Sequence, residues 1–222
     1  MSTTFYLHNA TNTQAGTFPS GTQSGVTPTA TAAGAATVRL MNPSLGALQS
    51  SLTVTSLANI TQQKFWMGIF TSNAFAVNQT VGGGAMVFNI ASSMSNANAN
   101  FWVNGMYVYV WRPSTGQKIG VIHDSTSSIL GTIPGQTSER VTYVTGISTN
   151  AVAGLVGDVI ICEFWATVTQ SNATARTDVM YFDGNTITNT NGGTTTSAAS
   201  YIRFNESLSL LTARPRAHAL VF

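Results

Sequence analysis

Acid–base chemistry needs carboxylates or imidazoles in pairs, and this chain of 222 residues has only seven Asp or Glu and three His. His8, His123 and His218 have no recognisable catalytic surroundings, and Gly-X-Ser-X-Gly is missing from the sequence. His123-Asp124 reads as a polar boundary between a strand and a loop. Glu163 and Asp178 form the candidate carboxylate pair, since two acids flanking a bond are what glycoside cleavage uses. With so few acids, Glu163 is expected instead to pair with an arginine such as Arg176, or to face solvent at a sheet edge. Asp178, Asp183 and Asn185 offer oxygen ligands near a turn, without the ordered acidic spacing of a dedicated Ca²⁺ loop. Gly82, Gly83 and Gly84 are followed by no Lys-Ser/Thr pair, so they read as a turn needing positive φ and not as a phosphate cradle. Cys162 has no partner cysteine and reads as a small core residue. The expectation is no enzyme, no cofactor and no metal.

Aromatic residues make the better candidate site. Tyr107, Tyr109 and Trp111 alternate along one strand face and could form a platform on which sugar rings stack. Rings that fill a core or a subunit interface are the favoured reading of the same spacing, because the opposite face is only modestly apolar and something must be covered.

The elements that would position these residues are strands. Val156–Gly184 is the most legible stretch: Ile160, Cys162, Phe164, Ala166 and Val168 fall on one face, with Val159, Ile161, Glu163, Trp165 and Thr167 on the other. A strand apolar on both faces must be covered on both. Phe164 is therefore expected in the core and Trp165 under a second layer or another chain. Arg176–Asp183 repeats the alternation, and the two runs read as a hairpin joined by a polar turn. Phe101–Arg112 is a long strand with a bulge or bend at Asn104-Gly105, closed into a hairpin with the run from Gln117 by a turn at Pro113–Gly116. Further strand-like runs recur at spacings of about ten to fifteen residues, the rhythm of sandwiches and jelly rolls. Helical periodicity is nearly absent, with Ser44–Gln49 the one candidate for a helical turn. The fold expected is all-β, a jelly-roll-like antiparallel β-sandwich of about ten strands with extended terminal arms.

Three segments follow from composition. Residues 1–36 hold a short N-terminal strand and an extended arm poor in large apolar residues, with Phe18-Pro19 and Val26 as anchors. Residues 37–211 are the sandwich. Residues 212–222 are a tail whose Arg214, Arg216, Leu220 and Phe222 combine cations with an apolar tip suited to anchoring on a neighbour. Extended, the tail could reach roughly 36 Å.

Charge is the unusual property. Asp, Glu, Lys and Arg make up 7% of the chain, against about 25% in an average domain, and none occurs between Phe65 and Trp111. The formal charge of +2 depends on Arg214 and Arg216, which argues against a nucleic-acid surface. No apolar run approaches the roughly 18 residues of a spanning helix, and strands apolar on both faces do not suit a transmembrane barrel, so no membrane partner is expected. Thr, Ser, Asn and Gly replace charge, a composition suited to proteins packed closely among copies of themselves.

Several stretches carry a resemblance: FYLHNA at the start, Gly16–Pro19, VRLMNPSLGALQSSLTVTSL from Val38, VYVWRPSTGQKIG from Val108, GDVIICEFWATVTQ and MYFDG. Together they resemble small virion structural proteins of tailed bacteriophages. That resemblance implies localisation in the virion and a role as a capsid decoration or cement protein, or as a tail-associated adhesin with a carbohydrate-binding sandwich. It further implies a homo-oligomer, a trimer among the options, whose partners are other virion proteins, either the major capsid protein or tail proteins, with a glycan as an alternative ligand.

Overall fold

The computed structural model describes residues 1–56, 63–95, 100–127, 137–169, 175–194 and 196–211. The alternating runs become strands: β1 (Thr3–Thr11), β2 (Ala30–Thr31), β3 (Val38–Asn42), β4 (Ser50–Ser56), β5 (Gln63–Thr71), β6 (Gln79–Val81) and β7 (Ala85–Met94). After them come β8 (Asn100–Arg112), β9 (Gln117–Asp124), β10 (Arg140–Ser148), β11 (Val152–Gly154), β12 (Val159–Thr169), β13 (Arg176–Phe182) and β14 (Tyr201–Phe204). The architecture is all-β and jelly-roll-like, as expected. The fourteen named strands exceed the expected ten or so. The surplus is largely β2, β6 and β11, two or three residues each and too short to carry a period-two signal. Residues 44–49 are bends and irregular backbone, with no helical turn.

Hydrogen bonding runs β4-β13-β7-β14-β1-β3-β5-β12-β8-β9, with β10 on the other side of β7, β2 beside β5, and β11-β6 as a separate pair. Pairing is antiparallel except where β2 and β3 run parallel to β5. The long sheet folds over on itself, so that β5-β12-β8-β9 lies across β4-β13-β7-β10. Phe70 of β5 meets Phe182 of β13 at 5.4 Å, and Phe164 of β12 meets Phe88 of β7 at 6.1 Å, which fixes the interior between the layers. Ile160, Cys162, Phe164, Ala166 and Val168 are fully buried in that interior. Burial, then the nearby Glu163 charge, pushes the Cys162 thiol well up, leaving it an inert core group.

The hairpin expected between the two runs of Val156–Gly184 does not form. β12 pairs with β5 and β8, whereas β13 pairs with β4 and β7 in the opposite layer. Alternation tells which side chains share a face, but ladders are made by backbone groups that carry no residue-specific signature. The hairpin of β8 and β9 does form, closed by Gly116 at φ 65° with its N–H donating to the Arg112 carbonyl. The Asn104 bulge is present too: Trp165 faces Gly105 and Ala166 faces Val103, leaving Asn104 as the extra residue.

β1 sits mid-sheet between β14 and β3. Residues 12–29 then run as a strap over the outer face of their own β5-β12-β8-β9 layer. Thr17 N–H donates to the Pro113 carbonyl at 2.8 Å and Thr29 N–H to the Lys64 carbonyl at 2.7 Å, while Phe18 and Val26 pack on the core. The surface on which this segment lies is therefore intramolecular.

Candidate functional site

The densest polar cluster lies beneath the strap. On β12, Glu163 projects away from the Phe164 interior, and β8 brings Tyr107, Tyr109 and Trp111 to the same outer face by period-two alternation. Adjacent rings tilt against one another, Tyr107 to Tyr109 at 5.3 Å and Tyr109 to Trp111 at 6.2 Å. The strap covers them. Tyr109 and Glu163 are each 0% exposed, and Tyr107 and Trp111 each 5%.

Most of the strap's bonds to this face are made by its backbone. Glu163 Oε1 accepts from the Gln23 N–H at 2.7 Å and from the Tyr109 hydroxyl at 3.1 Å. Its Oε2 accepts from the Thr22 hydroxyl at 2.7 Å. Lys118 Nζ on β9 donates to the Gln23 carbonyl at 3.0 Å and the Tyr107 hydroxyl at 2.8 Å, lying 5.0 Å above the Tyr107 ring. Trp111 Nε1 donates to the Thr17 carbonyl at 2.7 Å. Burial raises the Glu163 pKa, opposed by the hydrogen bonds from Thr22, Gln23, Tyr109 and Trp165. Burial, then the Glu163 carboxylate, pushes the Tyr109 phenol far above its usual range.

These contacts bear on three sequence readings, and the one they correct is the expected arginine or solvent partner of Glu163. Tyr107, Tyr109 and Trp111 present no open ring face for a sugar, because a strap too poor in large side chains to look like a packed element covers them. Glu163 and Asp178 do not share a site, because their strands belong to different layers. Glu163 neither faces solvent nor needs Arg176: strap and tyrosine donors satisfy it. The Glu163–strap contact was not legible beforehand, since the 140 residues between Gln23 and Glu163 leave no local signal.

Asp158, Asp183, Glu139 and Glu206 act in the same way, as staples on loops. Asp158 takes a bidentate Arg112 at 2.8 and 2.9 Å and the Leu155 N–H at 2.8 Å. Asp183 bonds His8 Nδ1 at 2.9 Å through Oδ1 and the Asn9 N–H at 3.1 Å through Oδ2, so both of its oxygens are occupied. Glu139 accepts from the Ala198 N–H and Gln49, and Glu206 from the Gly82 N–H. Among the described residues no group of three or more His, Cys, Asp or Glu could hold a metal ion. His123 bonds the Ser148 carbonyl, and burial lowers its pKa. Arg214, Arg216, Leu220 and Phe222 lie outside the described residues.

No protein family matches the chain, and neither does any curated protein. Among solved structures, a CocE/NonD family hydrolase from Staphylococcus aureus aligns over 92% of this chain and 34% of its own, at 9% identity and a TM-score of 0.31. The structure of infectious bursal disease virus, Gx strain, aligns over 71% of this chain and 35% of its own, at 10% identity and a TM-score of 0.23. A mutant VP2 protein of the same virus, in derived T=1 particles, aligns over 71% and 39%, at 11% identity and a TM-score of 0.20. The chain thus spans roughly a third of the length of these structures, and similarity this slight carries no functional argument.

Proposed function

We propose that this protein is a structural component of a tailed-phage virion, a capsid decoration or cement protein that stabilises the particle as a homo-oligomer. The observation that carries the reading is how the few charges are used. Of sixteen Asp, Glu, Lys and Arg residues, Arg39, Asp158, Glu163 and Asp178 are buried, and Asp124, Glu139, Asp183 and Glu206 hold turns and loops. The surface is left to Thr, Ser, Asn and Gly, so little like-charge repulsion opposes close approach of copies or of the major capsid protein. The mechanism is mechanical: contact area buried against neighbours raises the free energy needed to separate them. A tail adhesin using Tyr107, Tyr109 and Trp111 is the weaker reading, because the strap covers those rings.

The test is to localise the protein on intact particles by electron microscopy and to heat particles that lack it. Cementing predicts density on the capsid shell and loss of shell integrity at lower temperature without the protein. Equal thermal and osmotic stability of the two particle types would refute it.

A further inference from the structure

Glu163 is buried and, among the described residues, takes part in no ion pair. The strap above it, residues 12–29, contains no ionisable side chain. β8 contributes Tyr107 and Tyr109, β9 contributes Lys118 and Asp124, and β5 contributes Lys64. Lys118 bonds Tyr107 and the Gln23 carbonyl, Lys64 bonds the Thr167 hydroxyl, and Asp124 bonds Thr126. None of these cations is bonded to the Glu163 carboxylate.

The arrangement of donors around the two oxygens decides which form the site can hold. Oε1 receives the Gln23 N–H, a group that can only donate. Oε2 accepts from the Thr22 hydroxyl, which lies 2.9 Å from the Ser24 hydroxyl. A hydroxyl can reverse its role. A proton on Oε2 would donate to Thr22 Oγ1, Thr22 would donate onward to Ser24, and Oε1 would keep both of its bonds. The neutral acid therefore fits the closed strap with its bonds to Thr22, Gln23 and Tyr109 kept, whereas the carboxylate is buried with no counter-charge.

We propose that Glu163 is a proton-controlled latch: as a neutral acid it clamps the strap over Tyr107, Tyr109 and Trp111, and its ionisation loosens the strap and opens that aromatic face. The direction follows from linkage. With the strap closed, burial holds the Glu163 pKa above the ordinary glutamate value, so the closed state holds the proton more tightly than an open, solvated one. Clamping is then complete below the ordinary glutamate range and is lost as pH rises through the raised value. This inference does not depend on a place in the virion.

The strap has a reporter in the Trp111 indole N–H, which is bonded to the Thr17 carbonyl. Solvent exchange of this proton is followed by NMR in the full-length protein across pH, with the intrinsic exchange rate divided out and the resonance assigned by Trp111→Phe. In the wild type, opening is expected to increase with pH, by about tenfold for each unit by which closure raises the Glu163 pKa. Glu163→Gln mimics the neutral acid, since its amide can donate to Thr22 while its carbonyl accepts from Gln23. It is expected to stay closed and pH-independent. Asp124→Asn should leave the wild-type step in place. Should Glu163→Gln fail to fold, Thr22→Val removes a hydrogen bond that holds the Glu163 pKa down and should enlarge the step. A wild-type profile flat in pH, a step that survives in Glu163→Gln or is unchanged in Thr22→Val, or a step abolished by Asp124→Asn would each overturn the latch.

Discussion

At the scale of residues, this chain uses its few charged groups as internal fasteners. Asp158 shows it best: 1% of its side chain is exposed, and it accepts three bonds that tie Arg112 on β8 to the turn before β12. Asp158→Ala leaves the guanidinium and the Leu155 N–H without their acceptor, and it should cost about 3 kcal/mol in urea unfolding. A loss under about 1 kcal/mol would mean the pair is held mainly by solvent. Glu163 makes the opposite prediction, because its charge is the unfavourable form. Stability contributed by the neutral acid is present below the ordinary glutamate range and lost as pH rises through its raised pKa. Glu163→Gln should therefore unfold at a higher urea concentration than wild type at pH 8, and the difference should vanish at pH 4. A wild type more stable than Glu163→Gln at pH 8 would contradict this sign.

At the scale of elements, β12 carries the fold because both of its faces are covered, one by the opposing layer and one by the strap. Phe164 is fully buried and packs edge-on against Phe70 at 5.6 Å and against Phe88 across the layers. Phe164→Ala should cost about 3–5 kcal/mol, read as a lowered denaturant midpoint at constant slope. The turn between β6 and β7 is constrained by backbone instead. Gly82 has φ 81°, and a Cβ there would lie 2.2 Å from the Asn150 carbonyl oxygen. Gly82→Ala should cost roughly 2 kcal/mol, while Gly25→Ala, also at positive φ but with open space around it, should cost less.

At the scale of the whole molecule, the strand order closes the chain on itself, since Thr3–Tyr6 of β1, near its start, pair with β14, near its end. Such non-local pairing predicts slow folding, on the order of milliseconds to seconds in stopped-flow refolding. Charge also acts at this scale. Residues 212–222 contain Arg214 and Arg216 and no acid, so truncation after Leu211 takes the formal charge from +2 to +2 − 2 = 0. The truncated protein should be less soluble at neutral pH, measured by precipitation against the full chain at equal salt. Equal solubility would show that hydroxyl and amide side chains suffice to keep copies apart.

Strand identity, the two-sided burial of β12, the β8–β9 hairpin and the Asn104 bulge were all legible in the sequence. Each is set by local alternation and turn chemistry, which act within a few residues. The placement of β13 in the layer opposite β12 was not legible, because backbone ladders do not depend on which side chains they carry. Nor was the covering of Tyr107, Tyr109 and Trp111, since a strap of Thr, Ser and Gly has no apolar pattern and binds largely through peptide groups. By itself the sequence determined an all-β chain with few charges and strands needing cover on both faces. Only the tertiary structure decided that residues 12–29 provide that cover and that Glu163 holds them, because a contact spanning 140 residues exists only after the layers have closed.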